Sequence, residues 1–194
     1  MKSVICMLMA LSLFAADVFA QDATGKKMSN LENLIVNGEK LLQYDSYETG
    51  VLSGSFDIRF TAMVITDPEK SEILAKGMKA TIMGEKEATS SVYLDFEEVQ
   101  NLSKSLSLIK AVSAKFADKK REPYTEVVYS SKGGFKFGYL NRGVNAGMFS
   151  SNSALFIKTP DMVSTLKDDE KRFNQLQSIV NNVLMRISRN TAAP

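Results

Sequence analysis

Phe56, Ile58, Phe60, Ala62 and Val64 fall on alternate positions, the period of a strand with one buried face. Asp67-Pro68-Glu69 then supplies a turn, and Ile73 to Met83 returns as the partner strand, with a bulge expected at Gly77. Upstream, Leu31, Leu34 and Ile35 are spaced for one or two helical turns ended by Asn37-Gly38, and a strand follows through Leu42 and Tyr44. Downstream, Gly84 to Ala88 turns again and Ser91 to Leu94 is a short strand. The period then changes: Val99, Leu102, Leu106, Ile109 and Phe116 follow helical spacing. Asp95 is placed as the N-cap of that helix, Glu98 as the acid that completes a capping box three residues on, and Glu97 as further negative charge at the positive end of the dipole. Lys119-Lys120-Arg121 suits its C-terminus, and Pro123 stops it.

The second part of the chain repeats the plan. Tyr124 to Ser130 and Phe135 to Asn141 read as a hairpin around Ser131-Lys132-Gly133-Gly134. Arg142-Gly143-Val144-Asn145 turns toward a short strand near Met148, and Leu155-Phe156-Ile157 is another. Thr159, with Pro160 and Asp161 behind it, is placed as the cap of a final helix. Its apolar stripe runs from Met162 and Leu166 through Phe173, Leu176, Val180, Val183, Leu184 and Ile187, with a polar break or kink within Lys167–Lys171. The expected fold class is therefore α+β: several antiparallel strands and one capped helix, twice (ββββα twice), in half-repeats of about 37–118 and 123–190 of a single domain. The two units are expected to pack their helices against a shared sheet system, with the last helix lying on its own sheet.

Composition narrows the function more than it names it. Lys2, the apolar run from Val4 to Ala16, and Val18-Phe19-Ala20 form a secretory signal, with cleavage expected between Ala20 and Gln21. The run is shorter than the ~20 residues of a membrane-spanning helix. Cys6 raises a lipoprotein alternative, which the bulky Ile5 before it and the apolar region after it disfavour. Cleavage would remove the sole cysteine, so the exported chain would rely on its core and not on disulfides. Export points to a periplasmic or secreted protein. The chain has no histidine, which removes Ser-His-Asp relays and every His-ligated metal site. No metal or cofactor site is expected. A net charge of +2 demands no polyanionic partner.

The phrases Val92-Tyr93-Leu94-Asp95-Phe96-Glu97-Glu98-Val99 and Tyr124-Thr125-Glu126-Val127-Val128-Tyr129-Ser130-Ser131-Lys132-Gly133-Gly134-Phe135 are similar to small exported bacterial proteins without an assigned activity. The order of strand meander then helix, twice, resembles the whirly-type fold of single-strand nucleic-acid binders. This second resemblance is topological. It implies the fold, and a nucleic-acid-binding role only by analogy.

Three stretches could carry chemistry. Asp95, Glu97 and Glu98 are the densest acid cluster, a candidate acid–base pair that helix capping explains equally. Lys132-Gly133-Gly134-Phe135-Lys136-Phe137-Gly138-Tyr139 puts three aromatics on one strand face and Lys136 on the other, a pattern for stacking bases or for packing a core. Lys132, Lys136 and Arg142 are candidate cations of a ligand surface. Ser107-Leu108-Ile109-Lys110, Ser150-Ser151-Asn152 and Lys158-Thr159-Pro160 spell part of a penicillin-recognising pattern, but Pro160 stands where Gly is needed. Asn101-Leu102-Ser103 spells a sequon inside a helix. These readings favour a non-catalytic exported module binding a protein, glycan or lipid. The alternatives are a carboxylate-dependent hydrolase of the cell envelope and a single-strand nucleic-acid binder, which export disfavours.

Overall fold

The computed structural model describes residues 27–38, 40–116, 124–143 and 153–189. The signal segment with its Ala20–Gln21 junction, the Lys119-Lys120-Arg121 run, Pro123, the strand expected near Met148 and Ser150-Ser151-Asn152 lie outside the described residues. Helix α1 (Asn30–Asn37) is followed by β1 (Gln43–Leu52), β2 (Asp57–Asp67), β3 (Glu72–Met83), β4 (Thr89–Asp95) and α2 (Phe96–Phe116). Then come β5 (Thr125–Ser130), β6 (Lys136–Asn141), β7 (Ser153–Lys158), β8 (Val163–Leu166) and α3 (Glu170–Arg189). The strands form two four-stranded antiparallel sheets in sequential order, β1-β2-β3-β4 and β5-β6-β7-β8. Four antiparallel strands followed by a helix, twice, is the expected α+β plan.

The largest correction concerns the end of the second repeat. Thr159 does not cap a helix. It closes a tight turn, with its N–H donating to Met162 O at 2.9 Å and its Oγ1 accepting the Met162 N–H at 3.3 Å. Val163–Leu166 is then a strand, with alternating exposed and buried residues. Helix α3 starts only at Glu170, and Asp169 caps it by accepting the Arg172 N–H at 2.8 Å. Leu166 and Phe173 lie two helical turns apart in sequence, so the strand residue mimics the helical stripe. The expected polar break is the real helix boundary.

Two local expectations also change. The bulge in β3 is at Leu74, where Ala75 pairs with Ile65 and Ile73 with Thr66. Gly77 instead gives room to β4: a Cβ there would collide with the Leu94 carbonyl. Asp95 does not cap α2 with its side chain. Its carboxylate reaches α1, accepting the N–H groups of Asn30 at 2.9 Å and Leu31 at 3.0 Å. Only the Glu98 half of the capping box forms, with Asp95 N–H donating to Glu98 Oε2 at 3.0 Å.

One core joins both repeats. The inner faces of the sheets contribute Phe60, Met78, Leu94, Phe135, Phe137 and Tyr139, and α2 and α3 fill the space between. The helices pack against a shared sheet system as expected, but the last helix does not stay on its own sheet. Helix α3 packs against β1, β2 and β3, while α2 spans β3, β4, β5 and β6. Phe173 of α3 meets Phe137 edge-on, with ring centroids 6.1 Å apart and planes at 87°. A second, smaller cluster lies on the opposite face of the first sheet, where Leu31 of α1 covers Met63 and Ile65.

Candidate functional site

The β5–β6 turn places the most distinctive segment. Gly134 takes φ 90° there, and the Ser131 N–H donates to Phe135 O at 2.9 Å. From that turn successive residues point to opposite faces of the strand. Phe135, Phe137 and Tyr139 point inward and are fully buried, so this aromatic face is core and offers no stacking platform. Lys136, Gly138 and Leu140 take the other face.

Register then decides what Lys136 sits beside. Across the sheet, Ser130, Lys136, Lys158 and Val163 form one continuous cross-strand row, and all four are exposed. Lys136 and Lys158 are directly opposite one another, a like-charge arrangement that costs stability. Among the described residues neither ammonium has a carboxylate within ion-pair distance. The nearby Asp161 carboxylate accepts the Ser90 hydroxyl at 3.2 Å instead.

The adjoining row is Val128, Gly138, Phe156 and Thr165. Phe156 faces outward yet is only 6% exposed. Its ring lies across Gly138, where a Cβ would stand 2.6 Å from Cζ. Glycine is required here because the aromatic ring occupies the place of a side chain. Val128 and Val163 remain 37% and 43% exposed on this face. No helix among the described residues covers it.

The three cations singled out in the sequence do not form one group. Lys132 lies in the β5–β6 turn, its N–H donating to Glu98 Oε1 at 2.7 Å. Arg142 lies beyond the far end of β6, about 20 Å along the strand at ~3.3 Å per residue. Its charge acts there on the Tyr124 phenol. Lys158, read in the sequence only as part of Lys158-Thr159-Pro160, joins Lys136 through the β6–β7 register, which is not written in either strand alone.

The acid cluster is structural in two of its three members. Asp95 holds the start of α1, and Glu98 is a buried hub joining the repeats. Glu98 Oε2 accepts Asp95 N–H, Oε1 accepts Lys132 N–H, and its carbonyl accepts the Tyr129 hydroxyl at 2.7 Å. Burial, with the Glu98 charge nearby, pushes the Tyr129 phenol well above its ordinary range. Glu97 is exposed.

The Ser107–Lys110 spelling does not assemble. Lys110 donates to Glu170 Oε1 at 2.9 Å and Asn174 Oδ1 at 3.0 Å, both on α3, and this bond holds the Glu170 carboxyl below its usual range. Thr159 is buried and donates to Ser90 Oγ at 2.8 Å. The same helix junction holds a hydroxyl the sequence did not flag, Ser113, which donates to Asp168 Oδ1 at 2.6 Å beside a depression of about 310 Å³. This bond ties α2 to the segment between β8 and α3. Ser103 of the sequon accepts Gln177 Nε2 at 3.0 Å and belongs to the α2–α3 interface. Among the described residues no group of three or more acidic side chains is placed to hold a metal ion, and no helix is long and apolar enough to cross a membrane.

Comparison with family models, with curated proteins and with solved structures finds no match to this chain.

Proposed function

We propose that the chain is an exported, non-catalytic binding module that docks on an anionic lipid surface through the outer face of its second sheet. The observation that carries this reading is the uncovered row Ser130–Lys136–Lys158–Val163, with two opposed lysines and no described carboxylate to neutralise them. A bilayer of anionic headgroups suits a flat face. Lysine stems lie along it with their ammonium groups on phosphate, while Val128 and Val163 press on the apolar boundary. Each lysine near such a surface contributes about 1 kcal/mol, screened by salt. Lys132 is exposed in the turn that precedes β6, and Arg142 stands beyond the far end of that strand. The signal-like segment ending at Ala20 supports export, because it would deliver the protein to the compartments where envelope lipids are exposed.

Co-sedimentation with phosphatidylglycerol vesicles tests the docking face. Lys136→Glu/Lys158→Glu should bind more than tenfold less tightly while melting like the parent. Equal binding by the two proteins removes the reading, and so does equal binding to phosphatidylcholine vesicles. Export has its own test: mass spectrometry of the secreted protein should find Gln21 at the N-terminus. A retained Met1 or a lipid on Cys6 would exclude the cleavage proposed.

A further inference from the structure

Charge is unevenly spread over the outer face of the second sheet. Its cross-strand rows are Glu126–Leu140–Ala154, then Val128–Gly138–Phe156–Thr165, then Ser130–Lys136–Lys158–Val163. Both strand lysines of this face therefore share one row, at the end where the β5–β6 and β7–β8 turns lie. The middle row carries no charge. Glu126 lies two rows away and accepts the Tyr124 hydroxyl at 3.0 Å. In the cationic row Ser130 stands directly across from Lys136, on the side away from Lys158, so a hydroxyl flanks the pair. Of the charges in the two turns, Lys132 is exposed, and the Asp161 carboxylate accepts the Ser90 hydroxyl at 3.2 Å.

We propose that Lys136 and Lys158 together take one phosphate monoester headgroup of an anionic lipid, with the Ser130 hydroxyl as a further donor. This assignment rests on the lipid-docking reading above and adds the headgroup that the face prefers. Residues directly opposite in an antiparallel pair hold their Cβ atoms about 4.5–5.5 Å apart. From that spacing two flexible lysine stems can bring their ammonium groups to different oxygens of one phosphate, at ~2.7–2.9 Å each. A phosphate diester brings a single negative charge and leaves the pair partly unneutralised. A monoester carries about −1.5 to −2 above its second pKa of about 6, which matches both lysines at once. The like-charge opposition that costs stability in the free protein then becomes two attractions to one group.

Vesicles of phosphatidylcholine carrying either phosphatidic acid or phosphatidylglycerol, matched in electrophoretic mobility, separate headgroup recognition from bulk charge. At about pH 8 the protein should bind the phosphatidic acid vesicles about fivefold more tightly, the worth of one further lysine–phosphate contact. The preference should vanish near about pH 5, where the monoester keeps its second proton. Taking the ratio between the two lipids cancels titration of the protein, which has no histidine. Lys136→Gln and Lys158→Gln should each abolish the preference while melting like the parent. Equal binding of the matched vesicles at the higher pH overturns the inference and leaves the lipid-docking reading standing, whereas binding to neither overturns both. A preference that persists at the lower pH, or that survives either substitution, also overturns the two-lysine site. Soluble glycerol 3-phosphate that binds as tightly as the vesicles overturns the lipid as the source of the phosphate.

Discussion

In the first sheet, β2 and β3 run for 11 and 12 residues, and Ala62, Met63, Val64 and Ile65 are buried one after another. In the second sheet β6 and β7 have six residues each, and β5 alternates strictly between half-buried and exposed. Both sheets share the inner core, so the difference lies on the outer faces. Helix α1 lands on the first, and Met63 and Ile65 become a second cluster under Leu31. No described helix lands on the second, which keeps lysines, valines and hydroxyl side chains toward solvent. A strand's alternation is lost where another layer arrives, because both faces then exchange water for apolar contact. Phe156 is the local exception, and Gly138 accommodates it by offering bare backbone to the ring.

Breaking the shared inner core should produce the largest effect. Phe137→Ala removes a fully buried ring that meets Phe173, and should cost about 3–5 kcal/mol, read as a large fall in the denaturant midpoint. An unchanged midpoint would mean that the second sheet does not share the first sheet's core. Next comes the hub between the repeats. Glu98→Ala strips acceptors from two backbone N–H groups and should cost about 1.5–3 kcal/mol in a chemical melt. If it leaves the second repeat's hydrogen exchange unaltered, Glu98 does not couple the halves.

The outer face can be sharpened separately. Gly138→Ala drives a methyl group into the Phe156 ring and should destabilise by about 1–3 kcal/mol. Neutral behaviour would show that Phe156 can leave this face freely. Tyr129→Phe should cost about 1 kcal/mol for one lost hydrogen bond. It should also alter the alkaline limb of the stability curve. The folded phenol holds its proton above the ordinary pKa of 10.0, so its contribution is complete below that pH. The contribution is lost as pH rises above it. Thermal melts of the variant should therefore fall less steeply with pH in that window, and identical slopes would refute the coupling. Smallest of all, Lys136→Ala should change stability by no more than about 0.5 kcal/mol, since it removes one of two opposed like charges. A clear loss of stability there would show that the lysine is structural and not reserved for a ligand.

Much of the fold was legible because local spacing and local stop signals agreed. The Phe56–Val64 alternation, the Val99–Phe116 helical stripe and the Asn37-Gly38 stop all appear as expected. The fourth strand of the second repeat was hidden because Leu166 also satisfies the helical stripe. Val163 and Thr165 are the β-branched residues that argue for a strand there. Of the candidate site, Lys132 and Lys136 were legible as cations beside a turn. That Lys158 stands opposite Lys136 while Arg142 lies beyond the far end of β6 was not, because proximity across a sheet follows register and not sequence distance.

The order of elements apart from β8, the inward aromatics of β6 and the turn that reverses them were already settled in the order of residues, since each depends on contacts within a few positions. The placement of α3 over the first sheet, the Asp95 carboxylate on α1 and the Lys136–Lys158 juxtaposition arose only when distant segments packed. Hydrophobic burial is non-directional. A stripe of leucines and valines states that it must be covered, and the shape of the whole core selects which surface does so.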